Sequence, residues 1–184
     1  MRTLLALLLA GLFALPLSSF AADAGRAELF ELVQQRLDVM EAVAAYKYRR
    51  ELPVEAPQRE QQILDAVAAQ AAELGLDAAT VANLFRQQMA AARIIQQAYI
   101  RAWETGSESP PEEVELSALR ERISSINARQ LDTLKALLGN QKIQQNQWPV
   151  FQKSVGHRHL DSVTLAGLFE ALKSVRLSEP VPPR

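Results

Sequence analysis

Along residues 24–50 the chain places Leu29, Leu32, Arg36, Met40, Val43, Lys47 and Arg50 within roughly 40° of one line on an α-helix turning about 100° per residue. An apolar stripe of that width needs a partner surface, so this segment is one wall of a helical core rather than a free-standing helix. Two members of the stripe, Arg36 and Lys47, are cations on the side due for burial. They are three helical turns apart, about 16 Å along the axis with almost no net rotation, so both can face one cavity. The stripe ends in the dense charge run of "EAVAAYKYRRELPVEAPQRE". Within it Arg49 reads as surface, whereas Arg50 shares the inward stripe yet is the last residue before the turn, and both orientations stay open for it.

The remaining chain continues the helical pattern. It is rich in Ala, Leu, Gln, Glu and Arg, has only seven glycines and lacks alternating β-branched runs. The first helix, over 24–50, is expected to stop before Pro53. A second runs over 57–74, opened by Pro57 and closed by Gly75; a third follows Asp77 as N-cap and reaches residue 104. "TGSESPPEE", residues 105–113, is a loop, and a fourth helix covers 114–139. Residues 141–153 read as a short helix broken by Pro149, and a last helix covers 157–175 before a Pro-rich tail, 177–184. The expected architecture is all-α, a single domain over 22–184 built as a bundle of five to six helices.

The first residues, "MRTLLALLLAGLFALPLSSFAADA", hold one Arg, an apolar run from Leu4 to Leu15, and then small residues. This reads as a secretory signal cut after Ala21, with Ala24 as the other choice. The run is shorter than the roughly 20 residues a membrane span needs, so no membrane association is expected after cleavage. The 20 basic and 21 acidic residues of the chain give a near-neutral balance that offers nothing to nucleic acid. An exported chain with no cysteine has no disulfide framework, thiolate nucleophile or Cys-based metal site, so packing has to supply the stability.

Polar residues recur on other apolar stripes. Leu116, Arg120, Ile123, Asn127, Leu131 and Leu134 share one face of the fourth helix, and Phe85, Gln88, Ala92 and Gln96 share one face of the third. Lone inward cations commonly snorkel, lying along apolar surface with their heads in water. Here several cations converge without matching inward carboxylates, and an anionic ligand resolves that imbalance. Arg59 adds to this: a cation in a helix's first turn is disfavoured by the dipole unless an anion binds there. "HRHLD" offers His157, His159 and Asp161, but on a helix residues two apart point about 200° from each other, which suits capping or packing better than one metal ion. Trp103, Trp148, Tyr46 and Tyr48 read as core or interface aromatics. Arg101 and Arg158 read as solvated or ion-paired, and Gln88 as either a carboxylate contact or a helix-to-helix hydrogen bond.

Together these residues resemble a known family. "RLDVMEAVAAYKYRRELPVEAPQRE" (36–60), "LFRQQMAAARIIQQ" (84–97), "LSALRERISSINARQLDTL" (116–134) and "RHLDS" (158–162) look like the all-helical AroQ class of chorismate mutases, most closely its secreted gamma subclass. The resemblance implies an isomerase that rearranges chorismate to prephenate on the Phe/Tyr branch of aromatic amino acid biosynthesis, without cofactor or metal. It implies a periplasmic or secreted homodimer. It implies that Arg36 and Arg120 hold substrate carboxylates, that Arg59 fixes ring-side groups, that Lys47 and Gln96 flank the ether oxygen of the breaking bond, and that Glu60 accepts from the substrate hydroxyl. A non-catalytic periplasmic protein binding a small dicarboxylate or a protein partner is the rival reading, and the pairing of Lys47 with Gln96 speaks for the enzyme.

Three positions depart from the family pattern. Ala92 stands where relatives commonly carry Ser or Thr, so one hydroxyl contact to a carboxylate is missing or taken over by backbone. Ala56 stands where some carry Asp, which leaves Glu60 as the acceptor for the hydroxyl. Gln96 stands where close secreted relatives carry Glu, and an amide donates at any pH.

Overall fold

The computed structural model describes residues 17–139 and 142–179, with side chains of the first helix from residue 23 onward. Among the described residues six α-helices follow one another: α1 Leu17–Arg49, α2 Pro57–Glu73, α3 Ala78–Glu104, α4 Leu116–Leu138, α5 Trp148–Ser154 and α6 Ser162–Ser174, with a 3-10 turn at Gln145–Gln147 leading into α5. Among the described residues there is no strand, only an isolated antiparallel bridge between Leu76 and Leu177. The all-α expectation holds.

The first three helices end alike. After α2, the Gly75 N–H reaches Ala72 O and the Leu76 N–H reaches Ala71 O, with Gly75 at φ 71°. After α3, Gly106 at φ 70° and Ser107 repeat the pattern onto Trp103 O and Ala102 O. This is the Schellman closure, in which a left-handed residue lets two late carbonyls find donors. At the end of α1 the left-handed residue is Glu51, at φ 52°, and Leu52 N–H donates to Lys47 O at 2.9 Å. A side chain in that region costs about 1 kcal/mol that glycine would not. Pro53 therefore follows a helix already closed by hydrogen bonding, and the turn it stiffens carries strain.

Elsewhere the sequence expectations shift at the ends. α1 reaches back to Leu17, through both expected cleavage points, while the apolar run Leu4 to Leu15 and most of the Pro-rich tail lie outside the described residues. Pro149 does not break a helix; it sits in the first turn of α5, where a missing N–H costs nothing. α6 starts at Ser162 rather than at residue 157, because the Asp161 carboxylate accepts from the Thr164 N–H at 2.8 Å and caps it there. "HRHL" is consequently a turn. Asp77 caps α3 as expected, accepting from the Thr80 N–H at 2.9 Å.

α1 packs along both α3 and α4, α2 lies across the same two helices, and α6 covers α3. The shared core holds Leu29, Leu32 and Leu37 of α1, Leu84, Phe85 and Ile95 of α3, and Leu131 and Leu134 of α4, all essentially inaccessible. Each such side chain contributes about 1.5–3 kcal/mol on burial. Phe30 and Phe151 meet edge to face at 5.2 Å, and Phe151 meets Phe169 at 5.1 Å, which binds α5 and α6 into the same core. The chain after α6 is pinned to the α2–α3 turn by Asp77 N–H to Arg176 O, Ser178 N–H to Gly75 O, and the Arg176–Asp77 ion pair at 3.0 Å.

One buried polar network runs through this core. Gln88 of α3 donates to Gln130 Oε1 of α4 at 2.9 Å, and Gln130 donates to Leu32 O of α1 at 3.3 Å. The two readings left open for Gln88 resolve in favour of the helix-to-helix bond. With its amides satisfied, the network fixes the mutual register of the three helices.

Candidate active site

α1, α2, α3 and α4 enclose a cavity of about 490 Å³. Its walls include every residue selected from the sequence: Arg36 and Lys47 on α1, Arg59 and Glu60 on α2, Ala92 and Gln96 on α3, and Arg120 on α4. The turn over 52–56, held by Glu51 and Pro53, forms one side of the mouth. Five cationic side chains (Arg36, Lys47, Arg59, Arg93, Arg120) stand against two acidic ones (Glu55, Glu60), while Met40, Val43, Ile63 and Met89 supply apolar surface. Such a cavity attracts a small, compact, multiply anionic molecule with an apolar body.

Arg36 is the deepest charge. It is 3% exposed, and burial lowers its pKa to about 10. Its guanidinium donates to Asn127 Oδ1 at 3.2 Å and to Gln88 O at 3.4 Å, and lies 6.0 Å from the centre of the Phe85 ring. These neutral partners orient the group without cancelling its charge. Asn127 thus acts as a bracket for Arg36, and the snorkelling alternative does not apply to a residue so fully enclosed.

Lys47 occupies the last turn of α1, where the helix carbonyls favour a cation. Its Nζ donates to the Val54 carbonyl at 2.6 Å, so the ammonium is held against the turn at the cavity mouth. Burial lowers its pKa below the ordinary lysine value and the nearby Glu60 carboxylate pulls it back up. Glu60 also forms an ion pair with Arg93, Oε2 to Nη1 at 2.7 Å.

Gln96 is 5% exposed and contributes an amide that the protein itself barely uses: Nε2 reaches only the Met40 sulfur at 3.5 Å, and Oε1 is buried without a partner. A buried amide left this open is costly unless a ligand completes it. Arg59, half-buried, donates to Gln62 Oε1 at 3.2 Å from the start of α2. Arg120 is exposed at the rim, and Ala92 offers a methyl group only.

Arg50 turns away from the cavity. It stacks 3.9 Å over the Tyr46 ring and pairs with Glu113 at 2.5 Å, while Arg49 donates to the Pro111 carbonyl, so both fasten the 105–113 loop that leads into α4. His157 and His159 pack edge-on against Tyr99, at 5.7 and 4.7 Å, and burial pushes both below the ordinary histidine range. Among the described residues no group of His, Cys, Asp or Glu has metal-ligand geometry. Arg93 was not among the residues the sequence reasoning selected. The spacing Met89, Ala92, Arg93, Gln96 is the i, i+3, i+4, i+7 signature of one helix face and was sufficient to find it.

Residues 23–97 match the family model described as chorismate mutase type II. The secreted chorismate mutase of Mycobacterium tuberculosis is 31% identical over 163 residues, covering 86% of this chain and 82% of that protein. This chain belongs to the chorismate mutase family. The secreted chorismate mutase of Yersinia pestis is 27% identical over 172 residues, covering 93% of this chain and 91% of the relative. The crystal structure of the Yersinia pestis protein superposes with a TM-score of 0.76 at 25% identity, over 82% of this chain and 98% of that one. The Burkholderia phymatum chorismate mutase structure, at 23% identity and a TM-score of 0.66, shares the fold. The four-helix cavity described above therefore lies in a chorismate mutase fold, and the match to the family model spans α1 to α3, which contribute six of the seven selected residues.

Proposed function

We infer that this chain is a chorismate mutase, catalysing the rearrangement of chorismate to prephenate. In that reaction one C–O bond breaks as one C–C bond forms within a single molecule, so no proton has to be moved and no nucleophile activated. Catalysis rests on holding a compact conformer and on stabilising the negative charge that grows on the ether oxygen. The convergence of the Lys47 ammonium and the unsatisfied Gln96 amide on one cationic cavity carries the reading. An acceleration of about a millionfold requires about 8 kcal/mol. One well-aimed donor supplies about 3 kcal/mol, so two donors with conformer selection are of the right magnitude.

In this reading Arg36 and Arg120 bind the two carboxylates, one from the floor and one from the rim. Arg59 steadies the ring-side groups and Glu60 accepts from the hydroxyl. Ala92 contributes shape alone, leaving the hydroxyl contact of relatives unfilled. The catalytic domain begins at residue 22, after a signal cut after Ala21 with Ala24 as the other choice, and the mature protein resides in the periplasm or outside the cell; relatives described as secreted support the export. A homodimer completes the proposal on family grounds.

The test is to mix purified protein with chorismate and follow loss of chorismate and gain of prephenate, beside Lys47→Ala and Arg36→Ala. Wild type should turn over and each variant should lose roughly a hundredfold or more in kcat/KM. Chorismate left untouched by wild type sinks the assignment.

A further inference from the structure

Arg93 lines the cavity yet has no role in the proposed chemistry so far. It follows Ala92 on α3, and its Nη1 lies 2.7 Å from Oε2 of Glu60 on α2, with the side chains 33% and 28% exposed. The pair joins two different helices, both fixed by core packing, so its geometry is set by the fold and not by a shared turn. Glu60 also exerts its charge on Lys47. The contact that holds this carboxylate is the one from Arg93 on α3, while Lys47 on α1 feels its charge.

Glu60 has an unusual burden here. Ala56 and Ala92 both line the cavity and neither offers a polar side-chain atom. In the mutase reading, recognition of the substrate hydroxyl falls to Glu60, whose three side-chain torsions leave its carboxylate loosely placed unless a partner holds it. An arginine is suited to that task, because its planar donor fork constrains a carboxylate in direction as well as distance.

We propose that Arg93 is a positioning residue for this reaction: it holds one oxygen of Glu60 so that the other is presented to the substrate hydroxyl. The proposal rests on the mutase reading of the same cavity. It assigns Arg93 no direct contact with substrate, and in that respect differs from the roles of Arg36, Arg59 and Arg120.

A double-mutant cycle tests it. Arg93→Ala should lower kcat/KM roughly tenfold in the wild-type background and less than about twofold in Glu60→Gln, because a residue that acts through Glu60 has nothing left to position once that carboxylate is gone. Arg93→Lys, which keeps the charge but not the fork, should retain more activity than Arg93→Gln beside Glu60 and match it in the Glu60→Gln background. This second comparison stands even if Arg93→Ala folds poorly, and circular dichroism with thermal melting verifies each protein. Losses that multiply across the two backgrounds mean that Arg93 binds substrate itself and overturn the positioning role, as does an Arg93→Ala enzyme with full activity. Wild type that leaves chorismate unchanged overturns the mutase reading and this role with it, an outcome distinct from multiplicative losses in an active enzyme.

Discussion

Replacing Gln96 by Glu converts a permanent hydrogen-bond donor into one that exists only while protonated. Gln96 is almost fully enclosed, and its amide finds nothing better than the Met40 sulfur at 3.5 Å, so a glutamate of the same shape fits without displacing a native interaction. Enclosure raises a carboxyl pKa, while the surrounding cations lower it. The protonated form is the active one, so activity is present below this pKa and is lost as pH rises through it. Above it, each pH unit lowers kcat/KM tenfold, down to a floor about 3 kcal/mol or roughly a hundredfold below wild type, where the donor is absent. The assay is initial-rate kcat/KM for chorismate loss between about pH 4 and about pH 9, with Gln96→Leu as the control. The Leu variant should sit near the floor at every pH, and wild type should show no acid-side optimum from this position. A Gln96→Glu profile running parallel to wild type would refute the placement of this amide on the reacting oxygen.

Two further outcomes follow from the buried cations. Arg36→Met should cost more than about a hundredfold in kcat/KM but change unfolding free energy by no more than about 1 kcal/mol, because relief of arginine desolvation offsets the orphaned Asn127 carbonyl. Urea unfolding checks this, and a loss above about 3 kcal/mol would make Arg36 a residue of the fold. Lys47 must be charged to act, and burial lowers its pKa, so kcat/KM should decline on the alkaline side at a pH below the ordinary lysine value of 10.5. Bound dianion favours the ammonium, so the same limb in kcat should lie at higher pH than in kcat/KM; coincident limbs would contradict the contact.

The elements readable in advance were those whose signal is local. The α1 stripe repeats over several turns, and its register alone placed Arg36 and Lys47 on one wall. Asp77 and Gly75 gave boundaries because their effects reach only a few residues. Arg50 was not readable, since its direction is decided by Glu113, which stands 2.5 Å away across the loop before α4. The choice between two roles for Gln88 was likewise settled by Gln130 on another helix. Pro149 was misjudged because a proline breaks a helix or begins one depending on which turn it occupies, and here the capped turn at Gln145–Gln147 leads directly into α5 and puts Pro149 in its first turn. The turn around His157 and His159 was misread for a related reason: the cap at Asp161 decides where α6 begins. Arg93 was in reach of the periodicity, but its partner Glu60 lies on a separate helix.

The cavity draws its walls from α1, α2, α3 and α4 of one polypeptide. A site shared between protomers is in equilibrium with its own halves, and its occupancy falls as the protein is diluted. Here all seven selected residues stand on one chain, so in the proposed reading competence follows from folding alone. On that reading activity per molecule stays constant as the protein is diluted, and any association between copies is free to serve some purpose other than assembling the catalytic pocket.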